Sequence, residues 1–230
     1  MKTRSQSAFT LIEMLVVISI IAVLAAFAVP ALTSALSKGQ MTGTMNNGRQ
    51  LYLAAQQMAL DGAANSDPNL AWPGDYASGV TTLADYMNKL VQNDYLKPGD
   101  VQKLLNAPGT TCVVTPGDPT TTPPTPLTLA GKAGLKVFLV KEADSSNVVF
   151  AESANYTYNK PLAPNVNPFG DKGFIVQRKG GDASILRKNN AEASGASSPA
   201  IFQSTVGKKV NDPDGSPGTE AAGDLLTPPT

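Results

Sequence analysis

Residues 9–36 are almost continuously apolar, and no charged side chain occurs anywhere between positions 14 and 37. At about 1.5 Å per residue, a helix of this run is long enough to cross a bilayer core of about 30 Å, which takes roughly 20 apolar residues. The pattern predicts a membrane-spanning helix. Glu13 is the exception inside it. A carboxylate in such a segment costs about 2.5–3.5 kcal/mol and marks a functional position by default.

Beyond Leu36 the chain turns polar but keeps helical spacing. Met41, Met45, Gly48, Leu51, Tyr52, Ala55, Met58 and Ala59 recur at three- and four-residue steps, as a helix with one buried face requires. Residues 37–62 are thus predicted to continue the first helix amphipathically, giving about 78 Å if residues 9–60 are unbroken. Gly39, Gly43 and Gly48 each weigh against continuity by about 1 kcal/mol, and Pro30 removes a backbone donor. A break or loosening is expected near Pro30 or Gly39.

The remaining stretch, residues 63–230, has the features of a folded domain. Seventeen of the 18 prolines lie beyond Asp61. The tripeptide Pro-Gly-Asp, at Pro73, Pro98 and Pro116, predicts three turns. Leu83, Met87, Leu90 and Val91 predict a second helix over residues 83–95. The Thr- and Pro-rich residues 110–126 are expected to form an extended surface loop. Residues 136–140 and 148–150 flank Asp144-Ser145-Ser146-Asn147, and residues 174–177 and 183–186 flank Lys179-Gly180-Gly181-Asp182. Apolar runs joined by such loops predict two hairpins in one antiparallel sheet of about four strands, covered by the amphipathic helix. The fold class is α+β. The tail from Asn189 onward, rich in Ser, Ala, Gly and Pro, is expected to be partly irregular.

Composition narrows the chemistry. Lys plus Arg and Asp plus Glu both number 18, so formal net charge is zero and nucleic acid is not expected as a partner. Histidine is absent, which removes Ser-His-Asp and Cys-His catalysis and Cys/His zinc sites. Gly131-Lys132 and Gly207-Lys208 lack the upstream glycine of a phosphate-binding loop. No enzymatic activity is expected. Cys112, the single cysteine, cannot form an internal disulfide and is expected as a small, semi-buried residue. Arg178, Lys179, Arg187 and Lys188 cluster on the second hairpin, either as a docking surface for an acidic neighbour or as protection of a strand edge.

The run FTLIEMLVVISIIAVLAAFAVPAL behind a short basic leader resembles the N-terminus of type IV pilin-like prepilins, a family that includes the type II secretion pseudopilins. The resemblance covers 28 of 230 residues. It implies a leader of residues 1–8, cleavage by a prepilin peptidase between Ala8 and Phe9, methylation of the new Phe9 amine, and Glu13 as the assembly carboxylate. Pro30 matches the helix proline of the family. Ala8 stands where the family usually has Gly. The resemblance further implies a pilin-like fold, a single-pass inner-membrane precursor with cytoplasmic N-terminus and periplasmic C-terminal domain, and a homo-oligomeric filament. Its implied partners are the peptidase/methyltransferase, an inner-membrane assembly platform and a cytoplasmic ATPase. The lone Cys112 lacks the C-terminal disulfide loop of adhesive pilins, which favours a type II secretion pseudopilin over a surface pilus subunit. Asp212-Pro213-Asp214-Gly215, with Glu220 and Asp224 nearby, resembles a calcium loop without its full ligand spacing, and some pseudopilins bind calcium near this end. No cofactor beyond that is expected.

Two simpler explanations compete for the N-terminal segment. Thr10 and Glu13 have capping-box spacing, with Phe9 and Met14 placed as a hydrophobic staple. Lys2, Arg4 and the Ala26-Phe27-Ala28 triplet give a secretory signal, with a soluble protein released after Ala28. A signal core of about 7–15 residues is shorter than this run and carries no acid near its start.

Overall fold

The computed structural model describes residues 10–118, 120–121 and 125–229. The chain divides into two compact units, Met1–Gly39 and Gln40–Thr230. Helix α1 runs over Leu11–Asn65, uninterrupted at Pro30, Gly39 and Gly43, so the expected break is not found. The Thr33 hydroxyl donates to the Pro30 carbonyl at 2.9 Å, within the turn that follows the proline. The good helix formers Leu, Ala and Met recur throughout this stretch, and their summed propensity outweighs isolated Gly and Pro penalties.

Within the second unit, α1 buries the face expected from its spacing. Met41, Gly48, Leu51, Tyr52, Ala55, Met58 and Ala59 are buried, while Met45 is half-buried. This face rests on a four-stranded antiparallel sheet in the order β3-β4-β5-β6. Its strands are β3 (Leu135–Val137), β4 (Val149–Ser153), β5 (Phe174–Arg178) and β6 (Ala183–Leu186). The two expected hairpins are therefore neighbours in one sheet, with a register irregularity between Val149 and Ala151. Every residue of β4 and β5 is buried, so the central strands are covered on both faces. An aromatic trio ties helix to sheet. Phe150 meets Tyr52 and Trp72 edge-on, with ring centres 5.8 and 5.7 Å apart. The Tyr52 hydroxyl donates to the Lys179 carbonyl at 2.7 Å.

Helix α2 covers Leu83–Gln92, three residues shorter than expected, and opens with a full capping box from Thr82 and Asp85. Three other expectations are corrected. Of the three Pro-Gly-Asp triplets only the one at Pro73 forms a turn. Pro98 starts helix α3 (Pro98–Leu105), whose Val101, Leu104 and Leu105 are buried. Pro is favoured at a first helical position because its missing N–H is not needed there. The Pro116 triplet lies in irregular backbone between β1 (Cys112–Thr115) and β2 (Thr128–Gly131). Those strands pair antiparallel within and beside the region expected to be a loop. The pairing holds because Cys112 and Val114 point inward, in a buried–exposed alternation.

The tail is partly irregular, as expected, but carries ordered elements. Helix α4 (Pro199–Thr205) buries Phe202, and the closing segment lies along β3. Leu139 donates its amide to the Asp224 carbonyl, and Leu226 donates to Val137, both at 2.9 Å. Leu225 bridges Phe138 in antiparallel sense. A sheet edge that would otherwise be bare is thereby covered.

Candidate functional site

The first residues of α1 carry the candidate chemistry. Ala8 and Phe9, the expected cut and methylation positions, lie outside the described residues. Glu13 sits in the first turn, at the positive end of the helix dipole. Its Oε2 accepts from the Thr10 amide at 2.8 Å and from the Thr10 hydroxyl at 2.7 Å, while the Glu13 amide donates to Thr10 Oγ1 at 3.3 Å. Both arms of the capping box are thus formed. Glu13 keeps a second carboxylate oxygen for another partner.

The helix beyond Glu13 bears no buried side chain before Met41. Leu11 is 84% exposed and Phe27 77% exposed. Its most apolar window has a mean hydropathy of 2.8, and by length and composition it is long enough to cross a membrane. A run of Leu, Ile, Val and Phe this exposed is stable in lipid or against other apolar surfaces, not in water.

The other candidates resolve into internal contacts. Cys112 is buried and free of disulfide. Burial pushes its thiol above the ordinary value, away from the reactive thiolate. The four cations of the second hairpin do not form one open patch. Arg178 meets the Asp182 carboxylate and the Thr205 carbonyl. Lys179 donates to the carbonyls of Glu142 and Asp144, and Lys188 pairs with Asp171 at 2.9 Å. Only Arg187 and Lys188, just after the outer strand β6, stand exposed where edge protection would place them.

Among the described residues no three His, Cys, Asp or Glu side chains converge on a metal position. The acidic tail instead surrounds a lysine. Lys209 Nζ lies 2.7 Å from Asp224 Oδ2, donates to the Thr219 carbonyl at 2.6 Å, and is 3.8 Å from Asp212. Asp214 pairs with Lys208 and Glu220 with Lys136, each at 2.9 Å. Burial pushes the Asp224 carboxyl up, but hydrogen bonds from Lys209, the Ala221 amide and Asn211 outweigh it and hold the group below the usual range.

A cavity of about 460 Å³ beside Trp72 is bordered by Asp67, Asp75 and Glu142. Its carboxylates are engaged by the chain itself. Trp72 Nε1 donates to Glu142 at 2.6 Å, the Glu142 amide to Asp75 at 2.7 Å, and the Asn69 amide to Asp67 at 2.9 Å.

The sequence reading missed the cluster of Lys136, Glu152 and Glu220. Lys136 Nζ is 2.7 Å from Glu152 Oε1 and 2.9 Å from Glu220 Oε2, and Glu152 is wholly buried. Its one local signal is an acid inside the apolar run Val148-Val149-Phe150-Ala151-Glu152.

Comparison with known protein families reaches the same end of the chain. Residues 3–29 match the prokaryotic N-terminal methylation motif. The type IV major fimbrial protein FimA of Dichelobacter nodosus is 31% identical over 85 residues, which is 34% of this chain and 54% of that protein. The fimbrial protein EcpC of Eikenella corrodens is 36% identical over 89 residues, 37% of this chain and 54% of that protein. The chain spans about half the length of these relatives. No solved structure matches. The chain is therefore type IV pilin-like at its N-terminus, with an α+β fold of one long helix followed by small antiparallel sheets.

Proposed function

We propose that this chain is the structural subunit of a type IV pilin-like filament. It waits in the inner membrane, anchored by residues 9–36 with the folded domain on the periplasmic side, and polymerises through that same helix. A prepilin peptidase cuts between Ala8 and Phe9 and the Phe9 amine is methylated. With no nucleotide-binding motif in the chain, assembly is driven by a partner ATPase through an inner-membrane platform. The role is mechanical and requires neither catalysis nor a cofactor. The observation that carries this reading is the junction of a methylation motif with an apolar helix that buries none of its side chains before Met41.

Glu13 is the assembly carboxylate. After the cut, Phe9 carries a cationic amine, and a neighbouring subunit offset along the filament can bring its amine to the free oxygen of Glu13. A charge in an apolar filament core needs an opposite partner, because leaving it unpaired costs several kcal/mol. Glu13→Ala should be processed and inserted but should not assemble. Abundant Glu13→Ala filaments would exclude this role.

Of the filament kinds, a surface fimbria is favoured by the fimbrial names of the relatives. A type II secretion pseudopilin is the second reading, favoured by the single cysteine, which leaves no C-terminal disulfide loop. Deleting the gene separates them. Loss of surface filaments with intact secretion marks the fimbria, and loss of secretion with intact filaments marks the pseudopilin.

A further inference from the structure

The C-terminal segment covers the β3 edge through a few backbone hydrogen bonds, and at its centre lies an unbalanced set of charges. Lys136 projects from β3 to meet both oxygens of Glu220, each at 2.9 Å, on the covering segment. The same ammonium lies 2.7 Å from Glu152 Oε1 on β4. One lysine therefore stands between two carboxylates. Glu152 has no exposed surface, and its Oε2 finds no hydrogen-bond donor among the described residues.

The surroundings do not repair the imbalance. Opposite Glu152 on β5 is Val176, which is apolar. Beyond β4, Tyr156 and Tyr158 sense the carboxylate charge, but their hydroxyls donate to the carbonyls of Ala191 and Gly207 at 2.7 and 2.9 Å. The Tyr158 amide donates to Glu220 Oε2 at 3.2 Å. Lys132 lines the same cavity as Lys136. Asp212 and Asp224 face Lys209 further along the segment.

We propose that Lys136, Glu152 and Glu220 form a pH-sensitive clasp: the wholly buried Glu152 carboxyl keeps its proton at neutral pH beside the ion pair of Lys136 with Glu220, and its loss to solvent loosens the C-terminal segment from the edge of β3. A buried carboxyl and carboxylate against one ammonium are electrically balanced, whereas two carboxylates leave a net buried negative charge. Burial pushes the Glu152 carboxyl well up, and the attraction of Lys136 does not cancel it. Burial pulls Lys136 down, but the two carboxylates outweigh it and hold its ammonium above the usual value.

The sign follows from linkage. A carboxyl whose proton is held more tightly in the closed form favours closure at low pH. That favour is lost as pH rises from the ordinary carboxylate range to the folded value, by up to about tenfold per pH unit for one proton. Lys136 works in the same direction, since its contribution is present below the ordinary ammonium value and lost through its folded one.

The test is amide hydrogen exchange of the full chain in detergent micelles between pH 5.5 and 8.5, corrected for intrinsic exchange, read at Leu139 and Leu226. In the wild type the opening constant of both amides should rise by up to about tenfold per pH unit over part of this range. Glu152→Gln should flatten the dependence, and Lys132→Gln should leave it intact. A flat wild-type profile, an unchanged slope in Glu152→Gln, or a slope abolished by Lys132→Gln would each overturn the clasp. Should Glu152→Gln not fold, Glu220→Gln removes the other carboxylate and should flatten the profile equally; an unchanged slope there overturns it too.

Discussion

Thr10 and Glu13 hold each other reciprocally at the start of α1, the carboxylate accepting from the Thr10 hydroxyl at 2.7 Å and the Thr10 hydroxyl accepting from the Glu13 amide at 3.3 Å. Under the proposed assembly role the same side chain would serve two purposes, capping the helix within one subunit and offering its charge to the next. The two can be separated. Thr10→Ala removes the cap, a change of about 1 kcal/mol in helix stability, and keeps the charge. Glu13→Gln keeps a capping acceptor and removes the charge. Filament yield should survive in Thr10→Ala and collapse in Glu13→Gln, as measured by shearing and quantifying cell-surface filaments. Normal yield from Glu13→Gln would reduce Glu13 to a local cap.

The glycines of the second half of α1 should behave oppositely. A methyl group at Gly48 would meet Leu135 Cδ1 at 3.9 Å, an ordinary contact, whereas one at Gly62 would lie 1.7 Å from the Leu70 carbonyl oxygen. Gly48→Ala should raise stability by up to about 1 kcal/mol through helix propensity. Gly62→Ala should lower it by about 1–3 kcal/mol or more, since backbone must move. Denaturant melts of the two variants give both signs.

The Lys209–Asp224 pair should be costly to break from either side. Their side chains are 7% and 5% exposed. Lys209→Met leaves a carboxylate without its partner, and a loss of about 3–5 kcal/mol is expected. The depressed Asp224 and Asp85 carboxyls contribute to the acid limb. Their contribution is present above the ordinary carboxylate value and is lost as pH falls through their folded values. Asp224→Asn should therefore show a shallower acid limb in melts taken below about pH 5.

Cys112 should be chemically silent in the native state. Burial and a thiol pushed above its ordinary value predict no labelling by a maleimide until denaturant is added, and no disulfide-linked dimer on non-reducing gels. Rapid native labelling would place this residue at an accessible surface instead.

Much of this architecture was legible because its signals are local. Tyr52, Ala55, Met58 and Ala59 announce a buried helix face by spacing alone, and the Gly180-Gly181 turn sets the β5–β6 hairpin. The parts that were not legible depend on distant partners. Val113 and Val114 are too short an apolar run to declare a strand, and β1 exists because Thr128–Gly131 pairs with it. Pro98-Gly99 suits a turn or a helix start equally, and the burial of Val101, Leu104 and Leu105 decides for the helix. The tail reads as irregular because its order comes from hydrogen bonds to Val137 and Leu139, roughly 90 residues earlier by chain position. Glu13 stood out because a single charge interrupts an apolar run. Glu152 breaks its strand in the same way, but its meaning rests on Lys136 and Glu220, which only the fold brings together.

The mass of the mature N-terminal peptide, taken from purified membranes or filaments, bears most directly on assembly through a processed helix. A peptide beginning at Phe9 and carrying one added methyl group is expected, with Ala8→Trp accumulating the uncut precursor. An N-terminus at Val29, or an intact leader with Met1 or Lys2 first in assembled material, would contradict it.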